Sequence, residues 1–256
     1  MIQLLQSEQD AKKLLNFSVK IAKSMLFYGA EVYRVEDTVN RIYKSFDNIK
    51  APNILVTYNF VIASFVYDDT TYNAMRRVVL GDRNLEKISL LNDLSRKMVI
   101  GSCSLDYAFE KMKDIKNKTR YSNLAVLSAL TISAPFFAIM FGGTFKDSIV
   151  SFVVMAVEAA FLLFIGRYKV IYFLTNFLGA FISTVLVMIL AKFFFIHNPV
   201  SIIIVSLMPL VPGVQITNSV RDFMAGDYLS GIIGVQSAIF VSVAIALGVV
   251  MGLKIV

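Results

Sequence analysis

The chain has 256 residues, 57% of them hydrophobic, and its mean hydropathy of +0.67 exceeds that of ordinary soluble domains of this size. Its net charge of +7 would suit a nucleic-acid partner, but Lys111, Lys113, Lys116, Lys118 and Arg120 crowd directly ahead of the first long apolar run, where membrane topology accounts for them and nucleic acid is not expected. The single cysteine, Cys103, excludes an intramolecular disulfide and is expected as a small, half-buried residue at a helix junction.

Charge is unevenly spread. Residues 1–121 hold 19 of the 25 Lys and Arg and 14 of the 18 Asp and Glu, leaving six basic and four acidic side chains for the rest. That step predicts a boundary between two solvents: a small cytoplasmic α+β domain over 1–120, then a helical membrane bundle over 121–256. The opening MIQLLQSEQD has no basic region leading into an apolar run, so a signal peptide is not expected.

Ser7-Glu8-Gln9-Asp10 resembles a capping box opening a helix that runs to about Tyr28. Its predicted buried face is Leu14, Ser18, Ile21, Ala22 and Met25, and Gly29 ends it. A second helix is predicted from about Arg34 to Phe46, with Val35, Val39, Ile42 and Phe46 as its stripe. Asn53–Asn59, Phe60–Tyr67 and Thr71–Val79 are rich in β-branched and aromatic residues and read as strands, with Asp68-Asp69 as a turn. Helices resume at Leu85–Ile100 and Leu105–Lys118. The order ααβββαα predicts an antiparallel sheet.

The densest polar cluster is Gly29 to Arg41, containing Glu31, Arg34, Glu36 and Asp37. Arg34, Asp37 or Thr38, and Arg41 recur at helical spacing. Two readings stand: a solvated face with intrahelical ion pairs, each worth about 0.2–0.5 kcal/mol, or a polar site of paired carboxylates and arginines.

Beyond residue 121, five spans are predicted at about 122–145, 148–166, 170–192, 200–216 and 229–253, each near the ~20 apolar residues a bilayer requires. Lys and Arg placement predicts a cytoplasmic N-terminus and an extracytoplasmic C-terminus in the cell membrane. Arg167, Lys169 and Arg221 then lie inside, and Lys146, Lys192 and Lys254 outside. The fourth span contains Pro209, Pro212 and Gly213. Each proline removes a backbone donor, and freed backbone groups cannot face lipid, so this stretch is either a kink or the wall of a polar cavity. Glu158 is the one acidic residue deep in a span: a proton-coupling candidate, or a packing carboxyl bonded to Ser or Thr. His197 is expected in an exposed loop, and Gly248 with Gly252 forms one weak GxxxG pattern.

GxxxxGK[ST], HExxH, CxxC and GxSxG are absent, so no nucleotide, metal or other cofactor is expected and no enzyme activity is assigned. An energy source other than ATP hydrolysis in this chain is implied.

Two stretches resemble the threonine/serine exporter family: Gly29-Ala-Glu31 with Arg34-Val35-Glu36-Asp37-Thr38 and Arg41-Ile42, and Pro212-Gly213 with Thr217-Asn218-Ser219-Val220-Arg221-Asp222, Gly226-Asp227 and Ser230-Gly231. The order of a polar domain and then five spans is also similar. Long family members carry a second bundle of spans. This sequence ends after five, so the resemblance implies the larger subunit of a split, two-chain, oligomeric form with a small membrane-protein partner, a form associated with succinate export.

The resemblance implies export of a small carboxylate-bearing substrate, a hydroxy amino acid or a dicarboxylate, driven by an ion gradient, with protons the expected ion. It marks Asn218, Ser219, Arg221, Asp222 and Asp227 beside the broken span, and Glu31, Arg34, Glu36 and Asp37 in the first domain. An arginine fork at Arg221 suits a carboxylate. Two other classes remain: a membrane-anchored enzyme using Glu31, Glu36 and Asp37, and a regulatory protein whose first domain recruits a partner.

Overall fold

The structure, a computed structural model, describes residues 3–79, 81, 83–118, 121–168, 170–194 and 196–255. Arg120 and Lys169, two of the cations used above for topology, lie outside the described residues. The chain divides into two compact units: Met1–Thr119 with Thr217–Gly234, and Arg120–Ile216 with Val235–Val256.

The first unit opens with α1 (Glu8–Phe27), whose N-cap Ser7 accepts from the Asp10 amide at 3.2 Å. Its predicted stripe of Leu14, Ser18, Ile21, Ala22 and Met25 is buried. In α2 (Val32–Lys44) the stripe of Val35, Val39 and Ile42 is buried, and Phe46 follows just beyond the helix. Each large side chain buried this way contributes about 1.5–3 kcal/mol. Strands β1 (Lys50–Val56), β2 (Phe60–Tyr67) and β3 (Thr70–Arg77) form one antiparallel sheet in the order β1-β2-β3. Its inner face buries Val61, Ala63 and Phe65, with the Phe65 ring 5.3 Å from Tyr43 and 5.8 Å from Tyr72.

Two strand boundaries differ from the sequence expectation. β1 ends at Val56 rather than Asn59, because the Thr57 amide donates to the Phe60 carbonyl at 2.9 Å while the Thr57 hydroxyl, not its carbonyl, accepts from the Phe60 amide at 3.2 Å. That local bonding makes a turn of residues that propensity alone assigns to a strand. At the other hairpin, Asp68 and Asp69 have φ of 48° and 52°, the paired left-handed values of a two-residue turn that matches strand twist. The unit continues with α3 (Leu85–Val99), capped by Asn84, and α4 (Leu105–Asn117), capped by Ser104. Cys103 sits half-buried between them.

The second unit contains α5 (Asn123–Met140), α6 (Phe145–Ile165), α7 (Tyr172–Phe193), α8 (Pro199–Leu207), the start of α9 (Gly213–Met224) and most of α10 (Tyr228–Ile255). Among the described residues, α5, α6, α7 and α10 are long and apolar enough to cross a membrane. The segment predicted as a span at 200–216 is not among them: it consists of α8, a turn over 208–212, and the first residues of α9. Pro209 and Pro212 explain the interruption, since neither supplies an amide to carry the helix ladder forward. A methyl group at Gly248 would lie 2.4 Å from the Phe177 carbonyl oxygen, and one at Gly252 would lie 2.8 Å from Thr184 Cβ. The GxxxG pair is therefore where α10 closes on α7.

Candidate functional site

The turn between α1 and α2 is shaped by Gly29, whose φ of +91° suits glycine. It leaves the Gly29 carbonyl, the Glu31 side chain and the Val32 amide at the start of α2. Glu31 occupies the N-cap position yet makes no capping bond with its side chain. The groups that complete this helix start come from α9, far along the chain.

Asn218, Arg221 and Asp222 stand at i, i+3 and i+4, on one face of α9. Asn218 Nδ2 donates to the Gly29 carbonyl at 3.1 Å, Arg221 Nη1 donates to Glu31 Oε1 at 2.6 Å, and the Val32 amide donates to Asp222 Oδ1 at 3.2 Å. Asp222 thus caps α2, where a negative charge meets the positive end of the helix dipole. This also explains why α2 begins at Val32 rather than near Arg34. The second oxygen of Glu31 lies 3.2 Å from Arg34 Nε. One buried carboxylate is therefore gripped by two guanidinium groups, both about half exposed.

More acid surrounds this centre. Asp222 is buried, and burial pushes its carboxyl up to about 6; the Val32 amide opposes that rise, while Asp227 and Glu31 add to it. Burial also raises Glu36, against the Val56 amide that donates to Glu36 Oε1 at 2.8 Å, and Asp227 and Asp222 raise it further. Asp227 is likewise raised by burial. Ser219 is buried toward α10, where a methyl group at Gly234 would lie 2.0 Å from Ser219 Oγ.

Not every marked residue joins this centre. Asp37 pairs with Arg41 at 2.8 Å on an exposed face, as the solvated-face reading expected. Thr38, spaced with them, is instead buried and donates back to the Arg34 carbonyl. Pro212 and Gly213 lie at the break before α9, with open space around Gly213 Cα where a side chain would be. In the second unit, Glu158 on α6 is fully buried: Ser183 Oγ of α7 donates to its Oε2 at 2.7 Å, and its Oε1 has no hydrogen-bond partner among the described residues. A methyl at Gly179 would come within 2.6 Å of that oxygen and 3.2 Å of Leu210 Cδ1. His197 is exposed, as expected.

Sequence reasoning passed over Asp147. It closes a capping box with Thr144 at the start of α6 and accepts from the His197 and Asn198 amides at 2.9 and 3.2 Å. The Thr144-Phe145-Lys146-Asp147 spacing carried the signal.

Residues 16–256 match the family model "ThrE: Putative threonine/serine exporter". A protein of Mycobacterium tuberculosis (strain ATCC 25618 / H37Rv) named "Probable threonine/serine exporter" is 23% identical over 247 residues, a match covering 95% of this chain and 46% of that protein. The chain thus spans about half the length of this relative. No solved structure matches it. With both motif stretches meeting at one polar centre and the family match extending over nearly all of its length, the chain belongs to the threonine/serine exporter family.

Proposed function

We propose that the chain is the membrane subunit of an ion-gradient-driven exporter of small amino acids such as threonine or serine. In this reading residues 1–120 are cytoplasmic, and α8 with the start of α9 forms a fifth, broken crossing that leaves the C-terminus outside. A separate small membrane protein completes the pathway. Transport rather than catalysis is the role assigned to Glu31, Glu36 and Asp37.

The observation that carries the proposal is the grip of Arg34 and Arg221 on one carboxylate, with Glu36, Asp222 and Asp227 close by. A guanidinium fork that holds Glu31 also suits a substrate carboxylate. Four carboxyl groups against two guanidinium groups disfavour a dianion. An amino-acid zwitterion offers its ammonium to the acids and its carboxylate to the arginines, so the centre supports an amino acid over succinate, which is the second reading. Asn218 and Ser219 supply neutral polar contacts, and the interrupted segment around Pro212 and Gly213 supplies the passage. Glu158 is assigned the proton-coupling role, supported by its complete burial and its one unpartnered oxygen.

Counterflow of labelled threonine, serine and succinate in proteoliposomes, with and without a co-expressed small membrane partner, tests this reading. Threonine or serine exchange that disappears in Arg221→Ala is expected. Succinate exchange alone, or unchanged flux in that variant, would overturn the assignment.

A further inference from the structure

The two edges of the sheet are built differently. The β1 edge is irregular: its pairing slips between Lys50 and Asn53, Ala51 has a φ of 46°, and Pro52 has no amide to donate. These devices discourage further strand pairing. β3 has none of them. It pairs with β2 in unbroken register over eight residues, contains no proline, and carries charge only at Arg76 and Arg77.

The alternation of the ladder decides which backbone groups β3 leaves free. The Val78 amide donates to the Asn59 carbonyl at 2.6 Å, and every second pair from there to Tyr67 and Thr70 is of the same bonded kind. Residues 70, 72, 74 and 76 therefore turn their amides and carbonyls toward β2. Thr71, Asn73, Met75 and Arg77 turn theirs outward, and among the described residues no strand pairs with that edge. Among the described residues, the Met75 carbonyl accepts from the exposed Arg76 side chain beside it and from no strand. All four outward-facing residues are exposed.

We infer that the outer edge of β3 is a self-association surface on which a second copy of this chain adds its own β3 antiparallel, Asn73 facing Asn73 of the second copy. A two-fold axis requires a residue to face its own equivalent or the same-facing neighbours two positions apart, so only a few registers are possible. With Asn73 on the axis, Thr71 faces Met75, and the turn residue Asp69, one position before the strand, comes beside Arg77, once in each direction. Acid thus meets base at both ends of the joint. Asp69 is free to take this role, since its 3.7 Å contact with Lys50 joins two highly exposed side chains and is weak. The joint merges two three-stranded sheets and closes the open edge of both.

The test uses the full chain in detergent and in membranes, in a Cys103→Ser background. Asn73→Cys is expected to give a covalent dimer with a short bifunctional thiol reagent, and Asn53→Cys on the β1 edge is not. Asn73→Pro removes an outward-facing amide while leaving the bonds to β2 intact. Light scattering should show its dimer dissociation constant raised at least about tenfold, with an unchanged circular dichroism spectrum. A monomeric Asn73→Cys protein, equal cross-linking at Asn53, or an adduct whose mass is not twice that of the chain would overturn the inference.

Discussion

Arg221 Nη1 lies 2.6 Å from Glu31 Oε1 across 190 residues of sequence. This contact joins the two stretches whose motifs resemble the exporter family, and it does so inside one compact unit. Glu31 is buried while Arg221 is half exposed, so the two ends of the pair have unequal consequences when lost. Removing Arg221 leaves the buried Glu31 carboxylate with Arg34 as its remaining guanidinium partner and one oxygen stripped of its charged donor, whereas removing the carboxylate frees an arginine that water can solvate.

That asymmetry gives a first prediction. Arg221→Ala is expected to lower stability by about 1–3 kcal/mol, and Glu31→Gln by less. The double variant is expected to recover part of the Arg221→Ala loss. Urea titration of the four proteins in detergent measures the coupling; strict additivity would show that the pair is energetically idle.

The pH dependence of stability is a second. The Asp222 carboxyl is raised from 3.8 to about 6 in the folded state, so between those values the folded chain binds the proton more tightly than the unfolded chain. Stability therefore falls as pH rises from about 4 to about 6 and levels off above. Glu36 and Asp227, also raised, act in the same direction. Asp222→Asn is expected to flatten this slope. Thermal melts followed by circular dichroism suit a chain with no tryptophan, and an unaltered slope in the variant would contradict the assignment.

For Glu158 the two sequence readings separate experimentally. Ser183 bonds its carboxyl, as a packing role requires, yet one oxygen is left over. Glu158→Gln keeps an oxygen that Ser183 can donate to, so the protein should insert and melt within about 1 kcal/mol of wild type. Its exchange should no longer respond to an imposed pH gradient. A normal gradient response would leave Glu158 a packing residue.

Close approach at Gly234 gives a fourth expectation. A methyl there would fall 2.0 Å from Ser219 Oγ, so Gly234→Ala is expected to cost about 1–3 kcal/mol. Ser219→Ala in the same chain should return most of it, because the offending oxygen is gone. Failure of this rescue in denaturation experiments would place the strain elsewhere.

Much of the local architecture was legible because it is written at short range. The Leu14–Met25 stripe, the Ser7 cap and the Asp68-Asp69 turn each depend on residues within a few positions of one another, and each is present. The interruption near Pro209 and Pro212 was legible for the same reason. What escaped was set at long range. The start of α2 depends on Asp222, and no pattern near Val32 announces a cap nearly two hundred residues away. Arg34 looked like a member of the Asp37–Arg41 face because helical spacing says so; the buried Glu31 claims it instead. The end of β1 was missed for a local reason, a hydroxyl competing with the ladder at Thr57.

Asp147 has a mechanical implication. A single carboxyl stitches the first turn of α6 to the residues that launch α8, through His197 and Asn198. One end of α8 is thereby moored to a long neighbouring rod, while its other end runs into prolines that transmit little stiffness. Any swing of this short rod must pivot at the moored end and show its largest excursion around Met208 to Gly213.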